Sequence, residues 1–298
     1  MAKTLSLYTE TFGFEKSWIV KSLKLLPQYP DLFKRADKQI LLGIGPNKIK
    51  ALNIWLKGME LIDSRGSYPK LSFTGQIIKE YDEYLNEYGT WIVFIHNLSV
   101  YPPHNPAGFY WFFNEFNKIE FSREELKQAL MGSLLFTHLK PVSKEKGLTG
   151  LLAALRNPVI SEELRLFEEM ERGHFRKGHP PKQYFHPLTF AYCIADWARR
   201  NGGKDIVQIE EIISSKGMLG KVFDLSESYI QEKLDEIDTK YSKQILDVER
   251  FASLNRVVLK VKNPATLLRL YYEEMVRKKS VEEILSILAL RGKEDGYI

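Results

Sequence analysis

The residues best suited to chemistry with an anionic partner lie between Asn47 and Lys70. Asn side chains can hydrogen-bond the edge of adenine, while Lys and Arg contact phosphate or guanine. From Pro46 to Lys79 there are six Lys and Arg and two acidic residues, so this stretch carries +4 of the chain's net charge of +5. The predicted DNA contacts are Asn47, Lys48, Lys50, Asn53, Lys57, Arg65 and Lys70.

A helix must hold these amides and lysines on one face. In the helix predicted over residues 49–59, four apolar residues recur with helical spacing. They are Ile49, Leu52, Leu56 and Met59. Asn47, Lys50 and Lys57 fall on the opposite side, and Pro46 stands at the first helical position, where its missing N–H does no harm. This pattern predicts a helix with an apolar inner face and a polar outer face.

Two short apolar segments follow this helix and flank a turn. They cover residues 61–62 and 71–73, and the turn between them carries Arg65 and Lys70. Such spacing predicts a β-hairpin. A helix followed by a hairpin with basic residues is the outline of a winged helix-turn-helix, a fold that places one helix against DNA.

The remaining pattern predicts a mainly α protein with small β-hairpins, of the α+β class. A helix over residues 228–241 precedes two strand-like segments at 245–251 and 257–261. The C-terminal helical domain is therefore a candidate for a second winged-helix-like unit, although no sequence repeat relates the two halves. Helices are also predicted over residues 187–200 and, with exposed charges, over 164–171.

We expect three regions along the chain. Residues 1–146 form an N-terminal winged-helix domain with an aromatic helical core, and residues 187–298 form the C-terminal domain. Residues 147–186 are predicted to be an irregular basic linker. Within the first region, Ser122 and Glu125 have the spacing of a helix capping box, and six aromatic residues read as core. They are Phe109, Tyr110, Trp111, Phe112, Phe113 and Phe116.

Other residue types exclude several classes of site. A single cysteine, Cys193, allows no internal disulfide and lies in an apolar segment that favours a buried thiol. His174, His179 and His186 have no carboxylate or cysteine at ligand spacing, which favours a solvated basic loop over a metal site. No nuclease or hydrolase pattern is legible, so no catalytic residue is assigned. Without a signal core or an apolar span, we expect a soluble cytoplasmic protein with no membrane contact.

The polar helix face has alternative interpretations. Winged-helix units also contact proteins, and an amphipathic helix can simply expose a solvated lysine face. Double-stranded DNA is the favoured partner because the charge is concentrated beside the predicted hairpin.

Several segments of the chain resemble the SspB-like family, a domain of unknown function found beside DNA phosphorothioation and anti-phage genes. The segments are Glu10–Leu23, Leu42–Ile62, Leu71–Ile78, Gly89–Leu98, Phe109–Leu126, Gly220–Ile237 and Leu267–Glu274. Spread over residues 10–275, they cover most of the chain. The chain departs from the family at residues 147–187, a segment that is shorter and more basic than the corresponding family segment.

The resemblance implies a helical protein with winged-helix features that handles DNA. Members in phosphorothioation systems are associated with nicking DNA for sulfur insertion, alongside a cysteine desulfurase, an ATPase and a sulfurtransferase. A nickase of this kind would use a divalent metal such as Mg²⁺ or Mn²⁺, and the resemblance places no catalytic residue here. The function predicted is therefore DNA binding in a modification or defence module, with nicking as its enzymatic form. The alternatives are a DNA-binding adaptor or transcriptional regulator without chemistry, and a protein-binding scaffold.

Overall fold

The computed structural model describes residues 4–63, 68–251 and 254–294, with the backbone alone for 291–294. The helices are α1 (Lys16–Leu25), α2 (Lys38–Leu42), α3 (Pro46–Gly58), α4 (Phe73–Tyr81), α5 (Tyr88–Ser99), α6 (Gly108–Tyr110), α7 (Arg123–Met131), α8 (Pro141–Leu155), α9 (Pro187–Arg200), α10 (Ile209–Ser214), α11 (Leu219–Phe223), α12 (Glu227–Lys240), α13 (Pro264–Met275) and α14 (Val281–Glu294). The strands are β1 (Ile62–Asp63), β2 (Lys70–Leu71), β3 (Glu120–Ser122), β4 (Phe167–Glu171), β5 (His174–Lys177), β6 (Ile206–Gln208), β7 (Leu246–Phe251) and β8 (Leu254–Leu259).

These elements confirm the α+β class predicted from sequence. Helices predominate, and the described strands form three small antiparallel sheets with the orders β1–β2, β3–β5–β4 and β6–β8–β7. The helix predicted over 187–200 matches α9, and Ser122 and Glu125 form the capping box that opens α7. No helix in the described part of the chain is long and apolar enough to span a membrane.

The N-terminal unit has α1, α2 and α3 followed by the β1–β2 hairpin and α4. Its helices hold together because each turns an apolar face inward: Ile19 and Leu23 of α1 are fully buried, as are Leu52 and Leu56 of α3. After the hairpin, the Ser72 hydroxyl accepts a hydrogen bond from Gly75 N and so caps α4. The predicted order of helix and hairpin is confirmed here, whereas the winged-helix assignment stays a prediction.

The central unit contains β3, α7, α8 and the β4–β5 hairpin. Strand β5 lies between β3 and β4, with Phe121 opposite Phe175. The helix predicted over residues 164–171 was wrong, because part of that segment is strand β4. The reason is tertiary: Phe167 is fully buried and stacks on Phe175 at 5.1 Å, while Arg176 bridges carboxylates on both neighbouring strands.

The segment 147–186, predicted to be an irregular linker, therefore contains the end of α8 and the complete β4–β5 hairpin. Since β5 pairs with β3, this segment completes a sheet begun by residues that precede it. The domain boundaries themselves stay a prediction.

The C-terminal unit repeats the connectivity of the central one. A strand (β6) leads into helices α10, α11 and α12, and the β7–β8 hairpin returns so that β8 pairs with β6. Both units also place a capping box where the first strand meets its helix, with Glu125 in one and Glu211 in the other. The sequence shows no repeat because these shared features are backbone pairings and a few short-range contacts.

Helices α5, α9 and α13 form the centre that the units share. All residues of α5 after Tyr88 are buried, and α9 is buried from Pro187 to Ala198, including the thiol of Cys193. The six aromatic residues predicted to be core, which lie in α6 and just after it, are all buried. Both sequence predictions, the buried thiol and the aromatic core, are confirmed.

A buried ion cluster joins α9 to α5 and to the end of α3. Asp196 Oδ2 lies 3.0 Å from His96 Nε2 and accepts a 2.7 Å hydrogen bond from Arg200 Nε. The guanidinium of Arg200 also donates to Glu60 Oε1 at 2.6 Å, and Arg199 donates to Asp196 Oδ1. Burial alone would raise the pKa of Asp196, but the hydrogen bond from His96 and the charge of Arg200 hold it well below the usual value.

Replacing Asp196 with Asn should lower the free energy of unfolding at pH 7 by about 3–5 kcal/mol, because two arginines lose their buried counter-charge. In the parent protein the pKa of the Asp196 carboxyl is lower in the folded state than in the unfolded state. Its stabilising contribution is therefore present above about pH 4 and falls as the pH drops below that. Urea unfolding at pH 7 and pH 3 measures both effects, and the difference between parent and variant should shrink at pH 3.

Asp205→Asn is the matched control, since the pair of Asp205 with Lys262 is about half exposed on both sides. It should cost no more than about 1 kcal/mol at pH 7. Equal losses in the two variants would show that the buried cluster is not a special determinant of stability.

Candidate nucleic-acid interface

The turn between α2 and α3 sets the direction of the predicted DNA-contacting helix. Gly43 ends α2 with a positive φ of 70°, and Gly45 is extended just before Pro46 opens α3. Lys21 Nζ donates to the carbonyl of Leu42 at 3.0 Å, which satisfies one carbonyl left free at the end of α2. The glycine-rich segment is thus a helix-to-helix turn, and α3 leaves it in one defined direction.

Helix α3 separates its side chains by chemistry. The buried residues are Ile49, Ala51, Leu52, Trp55, Leu56 and Gly58. Asn47, Lys50 and Lys57 are exposed on the other side, as predicted. At 1.5 Å per residue they span about 15 Å along the helix axis. The apolar face fixes the helix on α1, so the polar face is presented to solvent as a rigid row.

Two lysines of α3 have partners within the protein. Lys50 Nζ lies 3.5 Å from Glu10 Oε1, and the Lys50 side chain remains mostly exposed. Lys48 Nζ lies 5.3 Å from the centre of the Trp18 ring, in a cation–π contact. Among the residues that the structure describes, Lys57 has no carboxylate within ion-pair distance. The three lysines therefore differ in how freely each can meet a phosphate.

Asn53 is half-buried rather than fully exposed. Its Oδ1 atom is buried and has no hydrogen-bond partner among the described residues. An unpaired buried amide oxygen costs free energy. Its place as a base-reading residue stays a prediction.

The hairpin brings further cationic and aromatic groups beside α3. Lys70 is exposed on β2, opposite Asp63 of β1, while Arg65 lies outside the described residues. Lys34 Nζ lies 4.5 Å above the ring of Tyr68, whose side chain is 47% exposed. An exposed aromatic ring next to cations is a common feature of nucleic-acid surfaces. Tyr68 lies in the turn predicted from sequence, but neither it nor Lys34 was predicted to be part of this surface. Their contact could not be predicted because Lys34 comes from a distant segment.

The three histidines of the predicted basic loop lie in different settings. His174 is in strand β5, His179 is exposed in the following loop, and His186 caps α9 while lying 3.4 Å from Glu274. Burial opposes ionisation of Glu274, but hydrogen bonds from His186 and from two further side chains lower its pKa to about 2. His186 therefore belongs to a structural contact with Glu274 that joins the start of α9 to α13.

The sequence leaves open whether the chain binds a metal ion. Across residues 4–63, 68–251 and 254–290, no group of three His, Cys, Asp or Glu side chains is placed to hold a metal ion. The described side chains therefore do not fit a three-ligand metal centre.

Comparison with known proteins identifies the fold. The model of a family described as a protein of unknown function, DUF4007, matches residues 8–149 and 157–272. The chain is similar to a magnesium ion-bound SspB crystal structure, with 18% sequence identity and a TM-score of 0.77 over 98% of this chain and 96% of that one. It is also similar to another SspB crystal structure, with 17% identity and a TM-score of 0.76 over 98% and 95% of the two chains. These likenesses confirm the resemblance predicted from sequence. No curated protein matches the chain by sequence.

The left-handed turn before α3 can be tested directly. Gly43→Ala should lower the free energy of unfolding by about 1–2 kcal/mol, because a Cβ atom disfavours the positive φ. Gly132→Ala is the control: Gly132 also ends a helix but has a φ of −82°, and its added Cβ would make only ordinary contacts. That change should be neutral or stabilise by up to about 1 kcal/mol. Urea unfolding of the two variants compares them, and an equal effect would contradict the role given to Gly43.

Proposed function

This chain belongs to the DUF4007 family of SspB-like proteins, and we propose that it is a DNA-binding protein of a DNA phosphorothioate-modification or anti-phage defence module. In this proposal, α3 enters a groove of double-stranded DNA and the β1–β2 hairpin lies along the backbone. A cysteine desulfurase, an ATPase and a sulfurtransferase are the expected companion proteins.

The observation that carries the proposal is the exposed row Asn47, Lys50 and Lys57 on α3, continued by Lys70 on the hairpin. Amides read base edges, whereas lysines meet phosphates and release counterions from the duplex. The element order supports the same mode. Two or three helices followed by a hairpin form a winged helix, in which the helix before the hairpin contacts DNA.

The charge of the exposed helix face distinguishes the N-terminal unit from the C-terminal unit. Helix α12 holds the corresponding position before the β7–β8 hairpin, but its exposed residues include four carboxylates. They are Glu227, Glu232, Asp235 and Glu236. Phosphate would be repelled from such a face. We therefore assign DNA contact to α3 and not to α12.

Lys50→Ala combined with Lys57→Ala tests the assignment. Because each lysine that contacts phosphate adds about 0.9 to the slope of log K against log salt, the double variant should reduce that slope by about two. Fluorescence anisotropy with a labelled duplex at several salt concentrations measures the slope and the affinity.

A matched control removes two exposed lysines elsewhere, Lys146 and Lys260, and therefore the same net charge. It should leave the slope nearly unchanged. An equal loss in both double variants would indicate only a general charge effect, and an unchanged slope in the α3 variant would refute the assignment.

DNA nicking is a second candidate function, favoured by the magnesium ion in one of the similar SspB structures. The described side chains offer no three-ligand group, so we assign no metal-dependent step to any residue. Supercoiled plasmid incubated with the protein and Mg²⁺ or Mn²⁺ should yield open-circle DNA if the chain nicks, and EDTA should abolish the product. No open-circle DNA with either metal would leave DNA binding alone as the function.

A further inference from the structure

A lysine far from α3 in the sequence has an unusual environment. Lys177, at the end of β5, places its ammonium group against the turn that follows α6. Its Nζ atom donates to the carbonyl of Phe112 at 2.5 Å and to the carbonyl of Phe116. The same atom lies 4.6 Å from the centre of the Phe112 ring, so an aromatic wall shields it from water.

The hydrogen bonds decide what remains available on this nitrogen. Two carbonyl oxygens accept two N–H bonds of Lys177, which leaves one tetrahedral position. In the ammonium form that position is a third N–H; in the neutral amine it is a lone pair. The two bonds to carbonyls can thus be kept in either form, and the neutral form gains a nucleophilic position.

Lys177 lines a small cavity between the central and C-terminal units. The cavity has a volume of about 150 Å³, and its polar lining includes Asn117, Lys221 and Asp224. Lys221 Nζ donates to Asn117 Oδ1 at 3.2 Å, which positions it at the same cavity. A space of this size accepts a ligand of only a few heavy atoms.

Burial and the neighbouring cation favour the neutral amine of Lys177. Burial lowers the pKa of Lys177 to about 7, the nearby charge of Lys221 lowers it too, and Asp224 acts in the opposite direction. A pKa near neutrality gives Lys177 a much larger neutral fraction at pH 7 than the roughly one in a thousand or fewer of an ordinary lysine. Burial, a neighbouring cation and an adjoining cavity are the conditions in which lysines act as nucleophiles.

We propose that Lys177 is a covalent binding site for a small anionic carbonyl compound. The lone pair of the Lys177 nitrogen attacks the carbonyl carbon and forms a C–N bond. The nitrogen then gives up both of its protons to the carbonyl oxygen, which leaves as water. The product is an imine, and Lys221 binds the anionic group of the ligand. The proposal is independent of DNA binding by α3.

The test uses the full-length protein and glyoxylate, an anionic aldehyde of the right size, with cyanoborohydride at pH 7. The reductant delivers hydride to the imine carbon and converts the adduct into a stable secondary amine that adds mass to one peptide. Peptide mass spectrometry should show Lys177 labelled about 100-fold faster than the exposed lysines, since the neutral fraction of an ordinary lysine at pH 7 is smaller by that order or more. Labelling spread evenly over surface lysines would overturn the proposal, and this mapping needs no variant to fold.

Two variants separate the nucleophilicity of Lys177 from the binding of the anionic group. Asp224→Asn removes the anion that favours the ammonium form, so labelling of Lys177 at pH 7 should become faster. Lys221→Met should slow labelling by glyoxylate several-fold more than labelling by neutral glycolaldehyde, because it removes the anion-binding group. An equal response to both aldehydes, or no response in either variant, would contradict the site.

Discussion

The buried carboxylate of Asp196 is the constraint on which the arrangement of the molecule depends. A charge in that position is stable only while Arg200, Arg199 and His96 all reach it, and these partners lie on α9 and α5. Through Arg200 the cluster also holds Glu60, which stands where α3 passes into β1. The ion cluster thus links the N-terminal unit to the central helices just after the end of α3.

Around this centre the chain uses one connectivity twice. In both the central and the C-terminal units a strand, its helices and a hairpin close into a sheet in which the last strand lies in the middle. The outer face of the helix before a hairpin can vary with function, because only its inner face packs against the rest of the unit. Carboxylates are exposed on α12, which precedes the hairpin of the C-terminal unit, whereas basic and amide residues are exposed on α3 of the N-terminal unit, so the two helix faces are suited to different partners.

Much of the local structure could be predicted because it depends on neighbours in sequence. The capping box of Ser122 and Glu125, the α9 boundaries and the polar face of α3 all rest on contacts within one or two helical turns. The helix predicted over 164–171 failed because cross-strand pairing with β5 outweighs local charge spacing. Asn53, predicted to contact DNA, is half-buried, since helical spacing does not show what packs beside a residue.

The sequence by itself determined the fold class, the apolar faces of the helices, the family and the concentration of positive charge around α3. Periodicity and composition carry that information because amphipathic elements must bury one face wherever they finally pack. Only the tertiary structure decided that Lys34 meets Tyr68, that Asp196 joins three elements, and that Lys177 and Lys221 share a cavity. Each of these depends on residues far apart in the chain, where burial and electrostatic neighbours are set by packing and leave no periodic trace.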